Sequence, residues 1–118
     1  MSNPFGRFVR SRREELRKRD REYSVRRVAA RIGVEPSYLS KVERGDQPPP
    51  SEAKILALAE VLGADPDAML AMAGKVSSDL QQTIRRRPEL FAELIRTLKD
   101  APDNAVFRIV REVRDGNW

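Results

Sequence analysis

The apolar positions of this chain recur at intervals of three and four residues, which is the spacing of one face of an α-helix. No window alternates between apolar and polar residues over the length of a strand, so the pattern predicts an all-α protein. The first predicted helix runs from about Phe5 to Lys18, and its buried stripe comprises Phe8, Val9 and Leu16.

Two short predicted helices, joined by a turn that contains glycine, follow the first. Ser24 caps the helix VRRVAARI, and Gly33 ends it because glycine adopts a positive φ without steric cost. Pro36 suits the first position of the helix PSYLSKVER, since its missing N–H would have no helical partner there. Gly45 and the prolines after it end that helix. This order is that of a helix-turn-helix motif.

Two more helices complete a predicted five-helix domain over residues 1–74. Ser51 caps EAKILALAEVL, and the cap-proline pair Asp65-Pro66 opens PDAMLAMAG. The residues of EAKILALAEVL that we expect to face inward are Ile55, Leu56, Ala59 and Leu62. The short connections between these helices are typical of a compact domain.

Residues 75–118 are predicted to form a C-terminal helical extension of two to three helices. Two of these helices carry apolar stripes, formed by Leu90, Phe91, Leu94, Ile95 and Leu98, and by Val106, Ile109, Val110 and Val113. One interpretation is that the helices cover each other and the first domain. The other is a dimer interface, which we favour because so small an extension cannot bury both faces alone.

The composition argues against an enzyme. The chain has no cysteine and no histidine, which removes thiol catalysis, disulfides, histidine acid–base chemistry and the usual zinc ligands. We therefore expect no cofactor and no metal. No apolar run is long enough to span a bilayer, and the N-terminus lacks a signal-peptide stretch, so we expect a cytoplasmic, nucleoid-associated protein.

Positive charge is concentrated near the N-terminus. Residues 1–31 hold eleven Lys/Arg against four Asp/Glu, a net charge of +7, although the whole chain carries only +5. Such a segment is either a polyanion-binding face or a solvated charged helix.

The segment that begins at Val25 reads VRRVAARIGVEPSYLSKVERGDQPPP and is followed by AKILALAEVLGADPDAML. It combines Ala29 and Gly33 at a spacing of four, the run YLSKVERG and a proline-rich turn. In this order it resembles the phage-repressor (XRE-like, Cro-type) DNA-binding domains over about residues 5–74. The resemblance implies a five-helix fold whose third helix enters the major groove, usually as a homodimer on a palindromic operator.

The resemblance also implies roles for individual residues. Lys41 and Ser37 are the strongest candidates for base contacts, whereas Tyr38 either meets DNA or half-packs against the second helix. The base contacts implied by position are Glu35, Pro36, Ser37, Tyr38, Ser40 and Lys41. The phosphate contacts implied are Arg13, Arg26, Arg27, Arg44 and, through its backbone N–H, Val25.

A structural ion pair is also implied by the resemblance. It joins Glu43 to an arginine near the end of the first helix, for which Arg17 is the first candidate and Arg13 the second. Such a pair holds the scaffold and does not contact DNA.

Two functions remain open. The first is a sequence-specific transcriptional regulator, a repressor that binds double-stranded DNA as a homodimer through the helix at residues 36–44. The alternative is an antitoxin or other interaction module that holds a protein partner through residues 77–118 and regulates its own operon.

Overall fold

The computed structural model describes residues 3–116, and residues 1–2 and 117–118 of the two predicted domains lie outside this part. Within it the chain forms eight α-helices and one 3₁₀ turn, with no strand, so the predicted all-α class is confirmed. The helices are α1 Pro4–Arg17, α2 Val25–Ile32, α3 Pro36–Arg44, α4 Glu52–Leu62, α5 Pro66–Met72, α6 Ser78–Arg86, α7 Pro88–Leu98 and α8 Asp103–Arg114. The 3₁₀ turn, Arg21–Tyr23, lies between α1 and α2.

The helix ends follow from local chemistry. The side chains of Asn3, Ser24, Ser51 and Asp65 cap the starts of α1, α2, α4 and α5 by accepting a backbone N–H. The α2 helix ends at Gly33, whose φ of 75° lies in the left-handed region that glycine tolerates. These signals are local in sequence, which is why the predicted limits of α2, α3 and α4 agree with the structure.

The chain divides into two compact units between Ser77 and Ser78. Unit 1 contains α1 to α5, and unit 2 contains α6 to α8. The two units differ in how much apolar surface they bury.

Unit 1 is built around one hydrophobic core to which all five helices contribute. Its buried apolar residues are Phe5, Val9, Val28, Ala29, Ile32, Leu39, Val42, Ile55, Leu58, Ala59, Leu62, Met69 and Leu70. Two predictions of inward-facing residues were wrong in detail. In α1 the buried aromatic residue is Phe5, while Phe8 is only half-buried. In α4 Leu58 is buried and Leu56 is 39 % exposed.

The α1 helix lies directly on the end of α3, and Gly6 is the residue that allows this approach. A Cβ added to Gly6 would meet the carbonyl oxygen of Val42 and lie 2.8 Å from that of Glu43. A larger residue would therefore push the two helices apart. Gly6 therefore allows α1 to lie close to α3, the helix that the sequence predicts to contact DNA.

Unit 2 has no fully buried residue in any of its three helices. Its half-buried apolar residues include Ile84, Phe91, Leu98 and Val106. The large apolar residues that remain exposed in this unit are Leu80, Leu90, Leu94, Ile95, Phe107, Ile109, Val110 and Val113. A unit of this size without a closed core leaves much of its apolar surface available for another molecule.

Candidate nucleic-acid interface

The turn between α2 and α3 is held in place by hydrogen bonds from two directions. The backbone N–H of Val34 donates to the carbonyl oxygen of Ala29 at 2.9 Å, which closes the left-handed turn at Gly33. The Lys54 ammonium of α4 donates to the carbonyl oxygen of Ile32 at 2.7 Å. A cation at the end of a helix also complements its dipole. The turn that precedes α3 is therefore held by its own backbone and by a side chain of α4.

The α3 helix is buried on one side and exposed on the other. Leu39 and Val42 are buried in the core of unit 1, whereas Ser37 and Lys41 are exposed. Ser37, Lys41 and Arg44 are spaced by four and three residues, so they share one face of the helix. Within the described residues the Lys41 side chain makes no hydrogen bond or ion pair, and its ammonium is available to a ligand. This face presents a short hydroxyl and two long cations.

The other candidate base-contacting residues differ in exposure. Glu35 and Pro36 are exposed at the start of α3, where Glu35 is the N-cap residue but forms no side-chain cap. Tyr38 is half-buried and packs against the core of unit 1. Ser40 is half-buried, and it lines the same small cavity as Val25 of α2. Contacts of these four side chains with DNA remain predictions.

The buried ion pair is formed by Arg13, so the first choice, Arg17, was wrong. The Arg13 guanidinium donates to both carboxylate oxygens of Glu43, with Nε–Oε2 at 2.7 Å and Nη2–Oε1 at 3.0 Å. It also donates to the carbonyl oxygen of Tyr23 at 3.2 Å. Arg17 lies one turn further along α1 and is exposed. The position of Gly6 against the end of α3 brings Arg13, two turns after it, to Glu43.

The predicted phosphate contact of Arg13 is also wrong. The residue is only 3 % exposed, and its guanidinium is fully engaged with Glu43 and Tyr23. A second cation of the basic segment, Arg12, donates to the carbonyl oxygen of Leu62 at 3.0 Å and caps the end of α4. Part of the N-terminal charge therefore holds unit 1 together and does not face a ligand.

A notch of 170 Å³ opens above the buried ion pair, between α1, α2 and α3. Its rim is formed by Arg10, Val25, Ser40 and Arg44, and its floor by Arg13 and Glu43. The rim brings two of the predicted phosphate contacts, Val25 and Arg44, close to a third cation, Arg10. Arg10 Nε lies 3.2 Å from Glu14 Oε1, and Arg44 Nε lies 3.0 Å from Asp46 Oδ2. Both pairs are exposed and contribute little on their own, so an anion can compete for either arginine.

The two remaining predicted phosphate contacts lie on the first turn of α2. Arg26 and Arg27 are both exposed, and Arg27 Nη1 lies 3.4 Å from Glu22 Oε1. Ser24 accepts the N–H of Arg27 at 3.1 Å, which places these cations at the positive end of the helix dipole. The start of α2 is thus suited to a phosphate, although no contact with DNA is observed.

Two residues that shape the interface were not identified from the sequence. Gly6 carries a signal, because a glycine inside a helical pattern often marks close backbone approach. Lys54 carries none, since nothing local distinguishes it from a solvated lysine on α4.

A family described as "Helix-turn-helix domain" matches residues 4–72 of the chain. The chain belongs to the helix-turn-helix domain family. Membership indicates a DNA-binding regulator, and the matched residues coincide with the helices of unit 1. The comparisons with curated proteins and with solved structures gave no significant match.

Within residues 3–116 no helix has the length and apolar character needed to cross a membrane. No group of three or more acidic side chains in that range is placed to hold a metal ion.

Proposed function

We propose that this protein is a sequence-specific transcriptional regulator without catalytic activity, a repressor that binds a palindromic operator as a homodimer. The α3 helix enters the major groove, and Ser37 and Lys41 contact base edges there. Arg26, Arg27, Arg44 and the N–H of Val25 contact phosphates. The observation that carries the proposal is the exposed face of α3, fixed from below by Leu39 and Val42.

The rigidity of this face supports direct reading of bases. A side chain discriminates between base pairs only when its backbone is held in register with the groove. The α3 helix is held at its start by the turn that Lys54 braces, and at its end by the Arg13–Glu43 pair. Its outward face is left to small or long polar side chains.

The exposed cations around α3 support a separate contribution of phosphate contacts to the affinity for DNA. Each phosphate that a cation neutralises releases condensed counterions, so binding weakens as salt rises. Arg26, Arg27 and Arg44 surround the groove-facing surface on unit 1 and form only exposed ion pairs, if any. These residues supply affinity for any sequence.

Selection of bound sites from random double-stranded DNA, followed by footprinting, tests the proposal. We expect an enriched motif with two inverted half-sites about one helical turn apart, which is the spacing that a symmetric dimer reads. A selection that yields no enriched sequence would contradict specific reading. An enriched single half-site would support sequence-specific DNA binding but would contradict the palindromic operator.

Salt-titrated binding of point variants tests the division of roles. Lys41→Ala is expected to cost about 1–3 kcal/mol on the selected site and to relax preference at one base pair. Arg26→Ala is expected to weaken all sequences alike and to lower the salt slope by about one. Lys99→Ala, an exposed cation at the end of α7, is the matched control and should leave both quantities unchanged. Identical behaviour of Lys41→Ala and Arg26→Ala would contradict the assignment.

The direction of regulation that we propose is repression. A reporter gene placed behind the selected site should be expressed less when the protein is present. Increased expression would reverse this part of the proposal.

A further inference from the structure

The α8 helix carries four large apolar side chains that are each more than one third exposed. Phe107 is 65 % exposed, Ile109 37 %, Val110 51 % and Val113 58 %. Phe107 did not belong to the apolar stripe predicted from sequence, yet it is the most exposed large apolar side chain of the described residues. Exposed patches of this kind mark interaction surfaces.

Charges at the two ends of α8 border this surface on one side. Asp103 is the first residue of the helix and Arg114 the last. They are eleven residues apart, close to three full turns, so both lie on the same side of the helix as Phe107 and Val110. Both are exposed, and Arg114 Nε is 3.7 Å from Asp115 Oδ1 in a pair that is itself exposed. The helix therefore carries an acid at one end of its apolar surface and a base at the other.

We propose that α8 packs antiparallel against α8 of a second copy, with Phe107 near the centre and Asp103 of each copy paired with Arg114 of the other. The proposal rests on the proposed homodimer and specifies its interface. Antiparallel packing brings the start of each helix to the end of its partner, so both charge pairs form at once. It also places the apolar surfaces of the two helices face to face.

Self-complementarity is the reason to choose a second copy as the occupant. In a symmetric dimer the same patch faces itself, so each charge must find its opposite within that patch. Asp103 and Arg114 satisfy this condition in the antiparallel orientation. A parallel arrangement would place Asp103 beside Asp103 and Arg114 beside Arg114, and like charges in such positions repel.

The size of the helix sets the expected strength of association. A helix of twelve residues is about 18 Å long. An interface based on such a short helix lies at the small end of the range for specific complexes. We therefore expect a dimer dissociation constant on the order of 1–100 µM for the free protein.

Sedimentation of the 118-residue chain without DNA, over a range of concentrations, tests the orientation through charge reversal. Asp103→Arg and Arg114→Asp should each weaken the dimer about tenfold or more, because each turns two attractive pairs into two repulsive ones. The double variant should regain most of the wild-type association. In a parallel dimer each single reversal would only exchange one like-charge pair for another, so unchanged association of the single variants would overturn the proposal.

The double variant also separates pairing from helix stability. An acid at the start of a helix and a base at its end both favour the helix dipole, so each reversal opposes it. The double variant then has the least favourable helix of the three. Recovery of dimer in that variant can only report the charge pairs, whereas loss of association in all three variants would overturn the proposal.

Phe107→Ser tests the apolar centre, with Arg108→Ser on the polar side of α8 as the matched control. Phe107→Ser should abolish the dimer at concentrations where the control remains associated. If wild type dimerises and Phe107→Ser associates equally well, the homodimer stands and this interface is wrong. A wild-type chain that stays monomeric throughout overturns the interface. Binding of a single DNA half-site, measured on the same variants, reports on unit 1 and separates this failure from failure of DNA reading.

Discussion

Arg13 stabilises unit 1 through a buried ion pair with Glu43. Its guanidinium and the Glu43 carboxylate are both almost fully buried, and each satisfies the other. Arg13→Ala leaves Glu43 buried without a partner and should lower the free energy of unfolding by about 3–5 kcal/mol. Urea denaturation of the full chain, followed by circular dichroism, measures this change.

Two other variants check the cause of that loss. Arg17→Ala, one turn along α1 and exposed, should change the unfolding free energy by less than about 0.5 kcal/mol. Replacing both partners, as Arg13→Met with Glu43→Leu, should recover most of the stability, because no buried charge is then left unpaired. Equal losses for Arg13→Ala and Arg17→Ala would contradict the pairing.

Gly6 is a second single residue on which the packing of unit 1 depends. Gly6→Ala should destabilise the protein by about 1–3 kcal/mol, because the added Cβ meets the carbonyl oxygens at the end of α3. This loss is expected even though alanine is the better helix former by about 1 kcal/mol. Ser11→Ala, at an exposed position of the same helix, is the control and should be neutral or slightly stabilising. A gain in stability from Gly6→Ala would show that α1 does not lie this close to α3.

At the scale of elements, the helix-turn-helix pair depends on a brace from α4. The Lys54 ammonium donates to the carbonyl oxygen of Ile32 and approaches that of Gly33 at 3.4 Å. Lys54→Met keeps the aliphatic stem and removes the donor, so we expect a loss of about 1–2 kcal/mol in unfolding free energy. Lys41→Met, on the exposed face of α3, should leave stability unchanged and weaken DNA binding instead. Equal effects of the two variants on stability would contradict the brace.

Sequence predicted helices more reliably than it predicted the sides they bury. Caps, prolines and glycines act locally, so the limits of α2 and α3 could be derived from neighbouring residues. In α4 almost every position is apolar, and the spacing alone does not distinguish Leu56 from Leu58. Arg13 and Arg17 lie one turn apart on the same face of α1, and only the close approach at Gly6 decides between them. Choices of this kind depend on packing between distant segments.

At the scale of the whole molecule, the two units differ in how many apolar residues they bury. Unit 1 has a core of thirteen buried apolar residues, while no residue of α6, α7 or α8 is fully buried. The apolar stripes of unit 2 were visible in the sequence, and in the structure most of their large side chains are exposed. A unit of this kind gains stability from association by mass action.

Hydrogen exchange at several protein concentrations should reveal this difference. Above the dissociation constant the fraction of free monomer falls with the square root of concentration, so exchange of α8 amides should slow about threefold for each tenfold increase. Amides of α2 and α4, inside the closed core of unit 1, should exchange at rates independent of concentration. Phe107→Ser should remove the concentration dependence of α8 and leave unit 1 unaffected. Concentration-independent exchange of wild-type α8 would mean that this helix is not the surface through which two copies associate.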